Sequence, residues 1–265
     1  MLLEGKRALI MGVANKRSIA WGIAEAFRRE GATLAFTYAG ERLRENVEDL
    51  VRTLPDAERI PVLPCDVAQD DQVAALFKTL EERWGGLDVL VHSIAFAPRE
   101  ELGGDFRATT RAGFQMALDI SAYSLVAVTR AAAPLFERAG GGSVMTLTYD
   151  AVARVVPSYN VMAIAKAALE AEVRYLAADL GRQSVRVNAI SAGPIKTLAA
   201  SAVKGISRLQ KSVEEVAPLR RNVTQEEVGD VAVFLASPLS RCLTGATLYA
   251  DCGFSIVGKG HEVSS

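Results

Sequence analysis

The sequence has few of the residues that mark secreted, metal-binding or hydrolytic proteins. Of its 265 residues only three are cysteines and two are histidines. Cys65, Cys242 and Cys252 are odd in number and lack metal-ligand spacing, which argues against a disulfide framework and for a reducing compartment. His92 and His261 lack the neighbours expected of a zinc site or a Ser-His-Asp triad. We therefore predict neither a metal site nor hydrolase chemistry.

An excess of charge of one sign is also absent. Thirty Lys and Arg against 31 Asp and Glu leave a formal net charge of −1, so no basic field exists to hold nucleic acid or an anionic membrane. The sequence starts with charges before a short apolar run, and we identify no apolar segment of 18 residues. These features predict a soluble, cytoplasmic protein without nucleic-acid or membrane partners. Half of the residues are hydrophobic, enough for a sizeable core.

Short β-like runs alternate with longer helical patterns along the chain, which is typical of a parallel sheet with crossover helices. Strands are predicted at 7–11, 33–38, 60–65, 87–92, 143–148 and 185–190. Helices are predicted near 19–29, 41–53, 70–83, 111–138 and 159–180. Right-handed crossovers give a doubly wound, Rossmann-like α/β fold with helices on both faces. No linker or repeat interrupts the alternation, so we predict a single domain over residues 1–265.

The residues that follow the predicted strands suit a bound dinucleotide, because ligands of open α/β sheets bind outside the carboxyl ends of the strands. Gly12 permits a close turn after the first strand, and the next helix offers free N–H groups to a pyrophosphate. Ser18 is expected to cap that helix and to donate to a phosphate. Asp66 after the third strand could read adenine or cap a helix. Small residues at 93–97 and 192–197 could admit a nucleotide or an acyl chain, or form plain loops.

Tyr149, Tyr159 and Lys166 are the candidate catalytic residues. Seven helical steps return Lys166 almost to the angular position of Tyr159, so the two are expected on one helix face. A lysine about 10 Å along that face suits a dinucleotide ribose, while a tyrosine hydroxyl can meet a substrate oxygen. A surface lysine and a packed tyrosine on an amphipathic helix are the alternative.

Together these features resemble the short-chain dehydrogenase/reductase superfamily and, within it, the bacterial enoyl-acyl-carrier-protein reductases of type II fatty acid synthesis. The resemblance covers nearly the whole chain. It is carried by GVANKRSIAWGIA at 12–24, HSIAFAP at 92–98, PSYNVM at 157–162 and RVNAISAGPI at 186–195.

The resemblance implies NADH-dependent reduction of a trans-2-enoyl thioester on acyl carrier protein by a homotetramer, with residues 163–178 as a candidate interface. Tyr159 would bond the thioester oxygen, Lys166 would hold the nicotinamide ribose and lower the pKa of Tyr159, and Tyr149 would lie nearby. The implied cofactor contacts are Gly12, Ser18, Ile19, Asp66, Val67, Ser93, Ile94, Lys166, Ile195, Thr197 and Ala199. The implied substrate contacts are Ala97, Tyr149, Tyr159 and Met162.

Met162 stands where typical carbonyl reductases of the superfamily have their tyrosine, one turn after Tyr159. That offset of about 4.5 Å suits an oxygen on C1 of an enoyl thioester rather than on the carbon that accepts hydride. A carbonyl reductase and a non-catalytic nucleotide sensor remain the alternatives, since the fold excludes neither.

Two features depart from the family pattern. After the second strand the chain lacks the Asp that commonly binds a ribose 2'-hydroxyl. Glu41 would repel a 2'-phosphate and Arg42 would attract one, and we favour NADH over NADPH. Asp150 stands where many relatives have an apolar residue. Its carboxylate could perturb the pocket or face solvent, and we favour the solvent-facing position.

Residues 195–216 show a broken helical pattern and are interpreted as a mobile lid over the acyl chain, or else a surface loop without function. Lys204, Arg208 and Lys211 recur within it at near-helical spacing. They form a candidate docking surface for an acidic acyl carrier protein, or simply a solvated face.

Overall fold

The computed structural model describes residues 1–197 and 206–258. In these residues seven strands form one sheet, in the order β3-β2-β1-β4-β5-β6-β7, and every neighbouring pair is parallel. The strands are β1 Arg7–Met11, β2 Thr33–Tyr38, β3 Val62–Pro64, β4 Val89–His92, β5 Gly142–Thr148, β6 Val185–Ala192 and β7 Thr247–Ala250. The strand order reverses where β4 pairs with β1. The predicted doubly wound sheet is confirmed.

Helices cover both faces of this sheet. They are α1 Ile19–Arg29, α2 Glu41–Val51, α3 Asp70–Trp84, α4 Arg111–Leu118, α5 Ser124–Ala139, α6 Asn160–Leu180, α7 Ile206–Val216 and α8 Gln225–Ala236. Alternate residues of β1 show the two layers: Ala8 and Ile10 pack with α1, α2 and α8, whereas Leu9 and Met11 pack with α3, α5 and α6. Successive side chains of a strand point to opposite faces, so burial on both sides requires a continuous apolar run.

Most predicted bounds agree with the structure to within two residues. The predicted helix 111–138 is an exception, because a π-helical turn at Asp119–Tyr123 separates α4 from α5. The predicted strand 60–65 shortens to Val62–Pro64, in keeping with proline's lack of a backbone donor. Helix α8 and strand β7 were not predicted. A capping box between Thr224 and Glu227 marks the start of α8 in the sequence and could have revealed it.

The helical stretch Arg111–Ala139 corrects the sequence interpretation that no long apolar segment is present. By length and composition it could cross a membrane, yet half of its most apolar window is buried inside the protein. A core helix passes the same test, so this stretch is weak evidence for a membrane span. Its contacts with α3, α6 and β5 fit a core helix.

The predicted lid at 195–216 is described only in part, since residues 198–205 lie outside the described ranges. The expected broken pattern is wrong for its second half, which forms α7. Val213 on α7 is fully buried, and the Gln210 side chain donates to the Pro194 carbonyl at 3.1 Å. This end of the segment is therefore docked against the body of the protein, and closure over a substrate stays a prediction.

Helices α1 and α8 cross so closely that their contact surface requires glycine. A Cβ added at Gly229 would lie 2.7 Å from the Gly22 carbonyl oxygen and 2.9 Å from the Ala26 methyl group. Neither neighbour is the free end of a long side chain, so relief would need the two helices to move apart.

We expect Gly229→Val to lower the free energy of unfolding by about 3 kcal/mol, the upper end of the usual overpacking cost, measured by urea denaturation. Gly181→Ala is the matched control, because Gly181 has a helical φ of −57° and open space around it. The control should leave stability unchanged or raise it by up to about 1 kcal/mol. Equal stability of both variants would show that the helix crossing tolerates a side chain.

Candidate active site

The reversal of strand order brings the loops after β1 and β4 into backbone contact. The Ser93 amide donates to the Met11 carbonyl at 3.2 Å. Gly12 has a φ of +93°, and a Cβ there would lie 2.6 Å from the Ser93 carbonyl carbon and closer still to its oxygen. Only glycine satisfies both the conformation and the contact. Gly12, Ser93 and the half-buried Ile94 therefore line the crevice in which open α/β sheets bind ligands.

Ser18 occupies the N-cap position of α1, but its side chain makes no capping hydrogen bond to the helix, which corrects the expected capping role. Its hydroxyl oxygen accepts the backbone N–H groups of Ala14 and Asn15 at 3.0 and 3.1 Å, and so closes the loop after Gly12. Accepting twice leaves the Ser18 proton available to an anion. The amides of Ile19 and Ala20 have no acceptor among the described residues, as expected for the first turn of a helix. This end of α1 therefore retains donors for a phosphate.

Asp66 shapes a turn at the end of β3. Its carboxylate accepts the Ala68 amide at 3.0 Å, and its own amide donates to the Gln72 side chain at 2.9 Å. Val67 beside it is buried in the core. Helix α3 begins at Asp70, four residues later, and its N-cap is Gln69, so Asp66 is not a helix cap. Its second carboxylate oxygen has no donor among the described residues.

Tyr149 and Tyr159 face each other across the carboxyl edge of the sheet. Their ring centroids are 5.1 Å apart with an interplanar angle of 56°, a tilted contact of the kind aromatic pairs prefer. Tyr159 and Ala97 pack against a small apolar cluster that includes the buried Met162. The cluster consists of Leu102, Ala117, Val161, Met162 and Ala165. All four predicted substrate residues therefore meet around one apolar surface.

Tyr159 is the N-cap residue of α6, so the helix begins one residue later than predicted, and the shared face of Tyr159 and Lys166 stays a prediction. Its φ and ψ are −124° and 10°, although its carbonyl accepts the Ala163 amide at 2.8 Å. Ser158 before it has a φ of 62°, a left-handed conformation that costs a non-glycine residue about 1–2 kcal/mol. The Asn160 side chain donates to the Gly104 carbonyl at 3.3 Å. A strained turn thus sets the position of Tyr159.

Lys166 is buried, and its ammonium donates to the Leu147 carbonyl of β5 at 2.7 Å. Burial lowers the pKa of Lys166 to about 8, opposed by the charge of Glu170. Burial raises the pKa of Tyr159, and the nearby Tyr149 adds to the increase. This direction contradicts the expectation that Lys166 lowers the pKa of Tyr159. The tyrosine is therefore a neutral hydrogen-bond donor at physiological pH.

His92 belongs to a buried polar network at the end of β4. Its Nδ1 lies 2.9 Å from the Thr146 hydroxyl and its Nε2 lies 2.8 Å from the Ser124 hydroxyl. Burial, followed by the charge of Lys166, lowers the pKa of His92 to about 3. The ring is neutral, accepts a hydrogen bond through one nitrogen and donates through the other.

Ser121 is a positioning residue that the sequence analysis missed. It lies in the π-helical turn, and its hydroxyl accepts the Phe96 amide at 2.8 Å and donates to the Phe96 carbonyl at 2.9 Å. Both bonds hold the loop that carries Ala97. A serine in an apolar helical pattern carries no sequence signal for this role, since the π turn that aims it is a tertiary feature.

Asp150 is only 5% exposed, so the expectation that it faces solvent is wrong. It begins a short turn directly after Tyr149 and forms an ion pair with Arg154, with Nε and Oδ2 2.9 Å apart. Burial raises the pKa of Asp150, Arg154 opposes this change, and Asp251 adds to it. Burial, with the charge of Asp150, raises the pKa of Tyr149 to about 12.

The remaining predicted cofactor residues follow β6. Ile195 packs against the core, and the Thr197 amide donates to its carbonyl at 2.8 Å. Ala199 lies outside the described residues. At the end of β2, Glu41 and Arg42 are both exposed, and Glu41 lies 3.5 Å from Arg44 in an ion pair.

Residues 12–255 match the family model described as Enoyl-(Acyl carrier protein) reductase. The chain belongs to the enoyl-acyl-carrier-protein reductase family. A Nostoc sp. relative named Enoyl-[acyl-carrier-protein] reductase [NADH] FabI is 53% identical over 259 residues, which cover 97% of this chain and 98% of that protein. A Bacillus cereus relative of the same name is 52% identical over 257 residues, which cover 97% of this chain and 99% of that protein.

Solved structures of enoyl reductases agree with this assignment. The Bacillus cereus enzyme with NADP+ and indole naphthyridinone has a TM-score of 0.94 at 52% identity, covering 97% of this chain and 99% of its own. The Anaplasma phagocytophilum enzyme in complex with NAD has a TM-score of 0.92 at 44% identity, covering 97% of each chain. The resemblance of this chain to the enoyl reductases, inferred from four short motifs, is confirmed.

We expect Gly12→Ala to raise the KM for NADH at least about tenfold, because its side chain must push the β1 and β4 loops of this enoyl reductase apart. Steady-state kinetics and NADH titration by fluorescence would measure the effect. Gly40→Ala is the matched control, since Gly40 also has a positive φ, of +76°, but open space around it. If Gly40→Ala raised the KM for NADH as much as Gly12→Ala, the proposed role of the Ser93 contact would be contradicted.

Proposed function

We infer that this protein reduces the trans-2 double bond of enoyl thioesters on acyl carrier protein, with NADH as the reductant. Curated NADH-dependent enoyl reductases are 51–53% identical to it over nearly their whole length. The observation in the site that supports this function most directly is the contact of Tyr149 with Tyr159 beside the apolar cluster. This arrangement offers a hydroxyl donor to a thioester oxygen and an apolar surface to an acyl chain.

The crevice at the carboxyl ends of β1 and β4 fits a dinucleotide. The amides of Ile19 and Ala20, which have no acceptor in the described part of the chain, and the Ser18 hydroxyl suit the pyrophosphate. The Gly12 turn lets it approach the backbone. The proposed contacts are Gly12, Ser18, Ile19, Asp66, Val67, Ser93, Ile94, Lys166, Ile195, Thr197 and Ala199. Bound NADH supplies the hydride that reduces C3 of the enoyl chain.

Tyr159 donates a hydrogen bond to the thioester carbonyl oxygen and stabilises the negative charge that develops there. Its partial burial supports this role, because the raised pKa of Tyr159 keeps the proton on the oxygen. The proton delivered to C2 comes from Tyr159, from a relayed water or from Tyr149. Tyr149, whose pKa is raised to about 12, also retains its proton.

Lys166 holds the nicotinamide ribose through the donors that its bond to the Leu147 carbonyl leaves free. With a pKa lowered to about 8, the ammonium is mostly charged at pH 7. The Thr148 hydroxyl donates to the Glu170 carboxylate at 2.7 Å, and this bond ties α6 to the end of β5 beside the lysine.

Met162 favours enoyl over carbonyl reduction. A carbonyl reductase of this superfamily needs a hydroxyl donor at that place, whereas the Met162 side chain is buried within the apolar cluster. The substrate surface formed by Ala97, Tyr149, Tyr159 and Met162 suits an acyl chain with its thioester oxygen at Tyr159.

We further propose a single catalytic domain that acts in the cytoplasm as a homotetramer, with residues 163–178 at a subunit interface. Residues 195–216 form the lid over the acyl chain. Lys211 on α7 is exposed and suits an acidic carrier protein. Lys204 and the side chain of Arg208, the other two cations of the proposed docking surface, lie outside the described residues.

The direct test follows the absorbance of NADH or NADPH as the purified protein meets a trans-2-enoyl thioester, with a 3-ketoacyl thioester in parallel. We expect oxidation with the enoyl substrate alone. The KM for NADH should lie below that for NADPH, because Glu41 repels a 2'-phosphate at the end of β2. Oxidation only with the ketoacyl substrate would establish a carbonyl reductase instead.

We expect Tyr159→Phe to lower kcat about 100- to 1000-fold, the usual loss when one donor to a developing oxyanion is removed. Tyr149→Phe should lose less, and Lys166→Ala should also lower turnover severely. Steady-state rates on an enoyl thioester measure all three. The matched control is Tyr175→Phe, because Tyr175 also lies on the 159–180 segment but is 76% exposed. Near-normal kcat/KM in Tyr159→Phe would contradict its proposed role.

A further inference from the structure

The Asp150 carboxylate lies between the turn that carries Tyr149 and the C-terminal segment that follows β7. Its ion-pair partner, Arg154, reaches that segment with both terminal nitrogens. Nη1 donates to the Val257 carbonyl at 3.2 Å, and Nη2 donates to the Ser255 carbonyl. One guanidinium thus joins an acid beside the active site to a segment about 100 residues further along the chain.

The C-terminal segment is itself folded toward Arg154. The Asp251 carboxylate accepts the Gly253 amide at 2.9 Å and the Ser255 amide at 2.7 Å. This turn places the carbonyls of Ser255 and Val257 where the guanidinium meets them. Among the described residues, Asp150 is the one carboxylate that forms an ion pair with Arg154.

The environment of the Asp150 carboxylate is unfavourable for a charged group. Apart from the ion pair of Oδ2 with Arg154, neither carboxylate oxygen has a hydrogen-bond partner among the described residues, and a buried charge with so few partners is costly. The charged and titratable groups that face it are Arg154 and Tyr149 on its own turn and Asp251 and Tyr249 at β7. Arg154 is the single cation of this set, so Asp150 has one partner that can offset its burial.

We propose that Asp150 is a positioning residue of the substrate site: its carboxylate fixes the Arg154 guanidinium, which fastens residues 255–257 against the turn that carries Tyr149. Only the expected change in the KM for the enoyl thioester rests on the proposed function. The attachment of the C-terminal segment is a property of the fold and is measurable without turnover.

The first measurement is amide hydrogen exchange of residues 253–258 in the full-length protein, normalised for the intrinsic effect of pH. We expect Asp150→Asn and Arg154→Met each to lower protection about 5- to 10-fold, and the double variant to lose no more than either single one. Asp150→Leu, which avoids a buried polar group, should show the same loss. Glu48→Gln is the matched control, because Glu48 forms an i,i+4 pair with Arg44 on the distant α2.

A pH series separates this role from simple packing. Because burial raises the folded-state pKa of Asp150, its charge is lost as pH falls through that raised value, at a higher pH than for an ordinary aspartate. Protection of residues 253–258 should therefore decline toward acid pH in the unaltered protein and stay low and flat in Asp150→Asn. Parallel curves for the two proteins would overturn the proposal.

Kinetics supply the second measurement. In Asp150→Asn and Arg154→Met the KM for the enoyl thioester should rise about 3- to 10-fold, while the KM for NADH stays within about twofold of the unaltered protein. An unchanged thioester KM with lost protection would overturn the link to the substrate site, and unchanged protection would overturn the attachment itself. Failure of the unaltered protein to reduce the thioester would refute the proposed function, and hydrogen exchange would still decide the attachment.

Discussion

The backbone contact between Gly12 and Ser93 is the constraint on which the site depends. Strands β1 and β4 are parallel neighbours at which the strand order reverses, so the segments that follow them lead to opposite faces of the sheet and leave a crevice between them. The width of this crevice is set by how closely the two loops approach. At Gly12 the approach leaves no room for a side chain. The donors at the start of α1 and the small residues after β4 are consequently held at opposite sides of one narrow opening. Tyr149, Tyr159 and Lys166 can act on a bound ligand only through their positions relative to this opening.

Burial then decides the chemistry of the groups around it. Lys166 loses some of its preference for the charged form, while Tyr149 and Tyr159 become weaker acids than free tyrosine. The two changes together favour a neutral hydroxyl donor over a phenolate. Desolvation is the first cause of each change, and for Tyr159 its direction is opposite to the lower pKa that the sequence spacing suggests.

The sequence predicted those helices and strands whose ends are marked by nearby residues. Helix α1 and strand β2 have the expected bounds, since their apolar periodicity is interrupted on both sides by polar or glycine residues. Strand β7 has only four residues at the sheet edge and is half-buried, which leaves little periodicity to detect. The motif residues around Tyr159 were found in sequence, but their conformation was not. The left-handed turn at Ser158 and the burial of Asp150 depend on segments that are remote in the chain.

The π-helical turn between α4 and α5 has a consequence for how this long helical stretch is read. An extra residue in one turn rotates everything before it by about 100° relative to everything after it. The apolar faces of α4 and α5 therefore point in different directions around the helix axis. The face of α4 contacts the loop after β4, and the face of α5 contacts the sheet. Deletion of one residue near Ser121 would restore a regular helix and keep the hydrophobicity of this stretch. It would also turn one of the two apolar faces away from its present neighbours.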